Sequence, residues 1–198
     1  GQVHVEHEAL DDVDVLRIAS RDRAGLFARI TGTLAVHGLD VIGASALTGA
    51  DGVAVDELRI ARTFGVDPDW SKVERDLRGA LAGDVDIDAR LEQRVRNQYR
   101  RRKALSAVPA RLEVLVSNDA SDSTTVVEVR APDAPAVLYR LSHALTEAGL
   151  DIRSAVVATL GHEVVDVFYV ADPAEPSGRV PESRFGELKT AVRSALAS

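Results

Sequence analysis

"RDRAGLFARITGTLAVHGLD" (residues 21–40) and "PDAPAVLYRLSHALTEAGLD" (residues 132–151) are one passage written twice. A shift of 111 residues lays Asp22 on Asp133, Arg29 on Arg140 and Leu34 on Leu145. The same shift lays Gly38-Leu39-Asp40 on Gly149-Leu150-Asp151. The match continues outward: Val15 falls on Val126, Ala44 on Ala155 and Thr48 on Thr159. One extra residue in the first copy then aligns Asp56 with Asp166. Self-similarity of this length means two copies of one folding unit.

Each copy reads the same way. Alternating or β-branched runs predict strands over Val13–Ala19 and Thr125–Ala131. A helix follows, with apolar spacing Leu26, Ile30, Leu34 in copy one and Val137, Leu141, Leu145 in copy two. Gly38 and Gly149 stand where a left-handed helix end is wanted. Two strands come next, Asp40–Thr48 with Val53–Ala61 and Asp151–Leu160 with Glu163–Ala171, joined by glycine-bearing turns. A second helix carries Trp70, Val73, Leu77, Leu81 in copy one and Phe185, Leu188, Val192, Leu196 in copy two, each a single stripe. A further strand leads each copy, with Val3 on Val114 and Val5 on Val116. The unit is therefore ββαββα, a permuted βαββαβ α/β sandwich, and the fold class is α+β. The leading strand is expected in the edge place that a trailing strand fills in the ordinary order. The expected domains are residues 1–87 and 111–198, joined by a basic helical connector over 88–110 in which Leu91, Val95 and Tyr99 keep helical spacing and Pro109 ends the segment.

Composition narrows the function. The 198 residues are 45% hydrophobic and 28% charged, which describes a globular chain. There is no Cys, so disulfides, thiolate chemistry and cysteine-based zinc sites are excluded; the absence fits a cytoplasmic protein. No apolar run nears the roughly 18 residues of a membrane span, and the N-terminus does not read as a signal peptide. A net charge of −7 argues against nucleic acid or anionic lipid as a partner. Met is missing even at position 1, as expected of a piece of a longer protein.

The turn between first strand and first helix is the chemical feature. Unpaired amides at a helix N-terminus attract an anion such as a carboxylate. Gly25 leaves room for a ligand or a neighbouring backbone, and Asp22 and Asp133 have the chemistry of helix caps. The same residues also suit a turn with no ligand, Asp as cap and Gly for packing.

"DRAGLFARITGTLAVHGLDVIGASALTGADGVAVDELRI" resembles the ACT domain, a small-molecule regulatory module opening on an Asp-Arg-Pro-Gly-Leu type turn, and "DAPAVLYRLSHALTEAGLDIRSAVVATLGHEVVDVFYVAD" resembles a second. The tandem, with its "RRRKAL" connector, is similar to the C-terminal regulatory region of the bifunctional uridylyltransferase/uridylyl-removing enzymes, which modify the PII signal protein. That resemblance implies an amino-acid-sensing part, with glutamine as ligand, reporting to catalytic domains outside this chain. ACT ligands sit between the strand–helix turn of one module and the second strand of its partner. Carried over, the resemblance implies ligand contacts at Asp22, Arg23, Ala24, Gly25 and Leu26, with Asp40, Val41, Ile42 and Gly43 as second-strand positions. It implies a weaker set at Asp133, Ala134, Pro135 and Ala136, and at Asp151, Ile152, Arg153 and Ser154, which can form the strand side of a site shared with copy one's turn. Turn amides suit an α-carboxylate; Asp40 or strand carbonyls suit an α-ammonium. Ala24 replaces the usual proline, and copy two has Ala134 and Ala136 for Arg23 and Gly25, so the open turn is expected in copy one. Pro135 is expected to keep a tight helix start.

Other constellations carry less. Asp56 and Asp166 share strand parity with core-facing rows, and are expected either at a strand end in solvent or bonded to backbone at the module interface. "YRRRK" (99–103) suits a solvated helix end, a docking surface for a catalytic domain, or nucleic acid. His4 and His7, three apart on a strand, face opposite sides, so no metal is expected. No cofactor motif and no catalytic constellation appears, so the chain is expected not to be an enzyme. The competing reading is an assembly module that dimerises through its sheets and binds no ligand.

Overall fold

The computed structural model of the protein describes residues 3–62, 67–99 and 112–197. Strand β1 (His4–Leu10) turns into β2 (Val13–Arg21), followed by α1 (Leu26–His37), β3 (Asp40–Thr48), β4 (Val53–Ala61) and α2 (Trp70–Ala82). After α3 (Ile87–Tyr99), the second copy runs β5 (Glu113–Ser117), β6 (Thr125–Pro132), α4 (Val137–Glu147), β7 (Asp151–Leu160), β8 (Glu163–Ala171) and α5 (Phe185–Leu196). This is the ββαββα order expected for each unit. Strands β2 and β6 outrun the expected ends at Ala19 and Ala131, because their ladders continue to Arg21 opposite Val53 and Pro132 opposite Glu163. The expected basic run 99–103 and Pro109 fall on residues whose side chains or backbone lie outside the described set, as does the Val95 side chain.

All eight strands form one antiparallel sheet in the order β1-β2-β4-β3-β7-β8-β6-β5. β1 and β5 take the two edges, each filling the place proposed for a leading strand. The two units join through β3 and β7, so the modules pair within one chain. Ser45 lies opposite Val156 in that pairing, and above it the hydroxyls of Thr31 on α1 and Ser142 on α4 meet at 3.1 Å. Both are pairs of repeat-equivalent residues, so an approximate two-fold axis runs through them.

The helices cover one face. In copy one Leu16, Ile18, Leu58 and Ile60 pack under Ile30, Leu34, Leu77 and Leu81; in copy two Val127, Val129, Phe168 and Val170 pack under Leu141, Leu145, Leu188 and Val192. A third cluster seats α3 at the junction: Ile87 and Leu91 press against Ala80 and Tyr139. Tyr139 Oη donates to Asp88 Oδ1, and Arg94 Nη1 donates to the Val36 carbonyl at 3.0 Å. Strand alternation puts the intervening residues on the other face, where Leu47 is 65% and Leu160 63% exposed.

The residue before each first helix has a left-handed backbone: Gly25 at φ 74° and Ala136 at φ 62°. Copy two therefore keeps the turn that copy one makes with glycine. An L-residue in this region carries a strain of about 1 kcal/mol. Ala136→Gly is expected to raise stability in urea unfolding by about 0.5–1 kcal/mol. Gly25→Ala is expected to lower it, since the added Cβ also meets Thr146 Cγ2 at 3.2 Å. An unchanged midpoint for both would show that neither turn holds this backbone.

Candidate functional site: two related pockets between the copies

Each strand–helix turn faces the start of the second strand of the other copy. Pocket one lies among Asp22, Gly25 and Leu26 of the first turn, Asp151 and Ile152 of β7, Thr146 of α4 and Asp56 of β4. Pocket two lies among Asp133, Ala134 and Ala136 of the second turn, Asp40 and Val41 of β3, Ala35 of α1 and Asp166 of β8. These are the same positions under the repeat. Thus Asp22 to Leu26 meet Asp151 and Ile152, while Asp40 and Val41 sit with the second turn. Residues 42–43 and 153–154 continue the two strands, and each strand has a bulge, at Ile42 in β3 and at Arg153 in β7. A bulge re-aims the extra side chain.

Several turn expectations are corrected. Neither Asp22 nor Asp133 caps its helix; no side chain caps α1 or α4. Asp22 Oδ2 instead accepts the Thr48 hydroxyl at 2.9 Å and the Arg153 guanidinium at 3.3 Å. Pro135 is not the first helical residue, because α4 begins at Val137. Part of the amide cradle is already used: the Asp22 and Leu26 amides donate to the Gly52 and Arg23 carbonyls, and the Asp133 and Val137 amides donate to those of His162 and Ala134. Arg23 reaches away to the Leu81 carbonyl at the end of α2. The space opposite Gly25 holds the Thr146 methyl; opposite Ala136 the equivalent residue is Ala35. A missing methyl on one side is matched by a larger side chain on the other.

Asp56 and Asp166 overturn the first of the two expectations for them, a strand end in solvent. They do not lie in solvent: Asp56 is 2% exposed and Asp166 0%. Asp56 Oδ2 and both oxygens of Asp166 have no hydrogen bond of normal geometry. Burial pushes each carboxyl up to about 7; the charge of Asp22 adds to this at Asp56, while at Asp166 the backbone of Ala158, on the strand that joins the two copies, opposes it and the charge of Asp133 adds to it. A carboxylate buried without a partner is costly, and such groups mark functional sites. Sequence reading had the signal, since both fall on core-facing rows and coincide under the repeat, but not the turn residues that close over them. Thr48 was likewise visible only as a repeat match. Among the described residues no cluster of His, Cys, Asp or Glu is placed to hold a metal.

The hollows are small, about 20 Å³ in pocket one and about 40 Å³ in pocket two, room for water rather than an amino acid. A larger hollow of about 530 Å³ lies between α4 and α5. It holds no unpartnered buried carboxylate, and its Arg184 already pairs with Asp172 and donates to the Ala148 carbonyl.

No protein-family model matches the chain. Curated relatives do. The bifunctional uridylyltransferase/uridylyl-removing enzyme of Streptomyces coelicolor is 42% identical over 161 residues, covering 78% of this chain and 19% of the relative. The enzyme of the same name from Bradyrhizobium sp. (strain ORS 278) is 31% identical over 196 residues, covering 99% of this chain and 21% of the relative. That from Gluconobacter oxydans is 35% identical over 164 residues, 81% of this chain and 17% of the relative. The chain thus spans about a fifth of the length of these relatives. A crystal structure of aspartate kinase from Synechocystis aligns over 94% of this chain and 27% of its own, with a TM-score of 0.47 and 16% identity, too slight a likeness to weigh.

Proposed function

The chain is homologous to a segment of the bifunctional uridylyltransferase/uridylyl-removing enzymes, and from that premise we propose that it is their amino-acid-sensing part. It is cytoplasmic, carries no catalysis of its own, and controls the nucleotidyltransferase and hydrolase activities of catalytic domains that modify a PII-type signal protein. Glutamine is the proposed ligand. The observation that carries this reading is the buried carboxylate beneath each turn with no counter-charge among the described residues, Asp56 in one pocket and Asp166 in the other. An α-ammonium entering there supplies the missing counter-charge, and free turn amides outside it suit the α-carboxylate. Binding regulates only by favouring one spacing of the two copies over another.

The test is calorimetry with the twenty amino acids. L-glutamine is expected to release heat and to raise the melting temperature by several degrees at millimolar concentration. Silence from all twenty would end the sensing reading. A second reading, assembly through the sheet, is favoured by the uncovered face with Leu47, Val55, Val156 and Leu160 at 50–65% exposure. It expects a concentration-dependent dimer in sedimentation and no response to amino acids.

A further inference from the structure

The two pockets share a plan but not a charge balance. In pocket one the guanidinium of Arg153 stands between two carboxylates, 3.3 Å from Asp22 Oδ2 and 3.4 Å from Asp151 Oδ2. Thr48 adds a hydroxyl to Asp22. Pocket two has the same two carboxylates, Asp133 and Asp40, but the position equivalent to Arg153 is Ile42. Among the described residues no cation pairs with Asp133 or Asp40. Arg140, on the helix behind, donates to the Pro135 carbonyl at 2.8 Å. Beneath them Asp166 is fully buried, and neither of its oxygens has a normal hydrogen bond.

We propose that pocket two is where this chain takes the ammonium group of a free amino acid, and that pocket one is latched by Arg153, an internal stand-in for that ammonium. This rests on the amino-acid reading above, and it reverses the preference for copy one that the glycine in its turn suggests. Asp166 lies buried with no cation beside it among the described residues, and Asp40 and Asp133 stand exposed above it, so an entering ammonium finds one buried and two exposed carboxylates to pair with. Pocket one has its cation already, and a ligand must displace it. The charge state of Asp166 agrees: burial pushes its carboxyl up against the pull of the Ala158 backbone, the charge of Asp133 adds to the push, and a bound ammonium opposes it. Among the described residues no group of carboxylates is placed to hold a metal ion, and the ligand of this proposal is an organic ammonium. Pocket two also includes Tyr139, which bonds Asp88 on α3, so occupancy there reaches the connector helix directly.

The two bulge positions make the test reciprocal. Calorimetry with L-glutamine on the 198-residue chain is expected to give one site per chain. Ile42→Arg, which copies the latch into pocket two, is expected to weaken binding at least tenfold. Arg153→Ile is expected to raise the stoichiometry towards two. Asp166→Asn, close in shape to a protonated carboxyl, is expected to weaken binding as Ile42→Arg does, and N-acetyl-L-glutamine is expected to release no heat. Melting curves confirm that each variant is folded; if Ile42→Arg is not, Asp166→Asn decides. Binding that survives Ile42→Arg and Asp166→Asn but is lost in Asp56→Asn overturns the proposal, puts the ligand in pocket one and leaves the amino-acid reading standing. No heat from any amino acid with either wild type or Arg153→Ile overturns the reading and the proposal together.

Discussion

At pH 8, Asp166→Asn and Asp56→Asn are each expected to make the protein more stable than wild type, by at most about 4 kcal/mol. Both carboxyls have a folded-state pKa near 7 against an ordinary 3.8. Below about pH 4 both states hold the proton and the groups contribute no pH dependence. Between about pH 4 and 7 the unfolded chain has released its protons while the folded chain still binds them. Stability therefore falls as pH rises through that window, by roughly 1.4 kcal/mol per pH unit for each group, and levels off above it. Asparagine resembles the protonated carboxyl in size and does not ionise, so the gap between variant and wild type opens as pH rises. Urea unfolding at pH 4.5, 6 and 8 reads it directly. Parallel pH profiles for wild type and the double variant would show that these groups titrate normally and are not buried as described. The stability given up at pH 8 is what a bound ammonium recovers, so saturating ligand is expected to stabilise wild type more than Asp166→Asn.

Gly32→Val is expected to cost about 3 kcal/mol or more. Gly32 sits inside α1, where a glycine ordinarily weakens a helix by about 1 kcal/mol relative to alanine. Packing explains its presence. A Cβ there stands 2.5 Å from Ile87 Cγ2 and 2.7 Å from two ring atoms of Tyr139. Ile87 belongs to α3 and Tyr139 to α4, so the missing side chain is where the connector helix and the second copy both press on the first. Neither neighbour has room to withdraw, since both are nearly buried. Gly32→Ala is expected to lose less, about 1–2 kcal/mol, because helix propensity offsets part of the overlap. Thermal unfolding gives the loss, and amide exchange across residues 87–99 shows whether α3 detaches first. A Val variant melting within a few degrees of wild type would mean that α3 is not seated against this point. Because Tyr139 lines pocket two, the same variant is expected to weaken ligand binding.

Much of the molecule was legible before any coordinates. Helical spacing at Leu26, Ile30 and Leu34, and its echo at Val137, Leu141 and Leu145, depends only on 3.6-residue periodicity and a buried stripe. The strand ends at Asp40–Thr48 and Glu163–Ala171 follow from alternation bounded by glycine turns. The repeat itself implied two like units and even the leading edge strands. The candidate site was legible only as pieces. The turns and second-strand starts were named, yet Asp22 was expected to cap a helix and instead binds Thr48 and Arg153. Nothing local distinguishes an Asp that caps from one that is paired across 131 residues of chain.

By itself, then, the amino-acid order determined the two units, their ββαββα course and the turn that opens each first helix, because these depend on contacts within a few residues or on patterns that repeat along the chain. Tertiary structure alone decided that β3 meets β7, that each turn faces the other copy's strand, that Asp56 and Asp166 lie buried beneath, and that Arg153 reaches across to Asp22. Those outcomes depend on which faces come together when two sheets join and on how much water is then excluded. Burial turns an ordinary carboxyl into one with a costly charge, and burial is a property of the assembled fold.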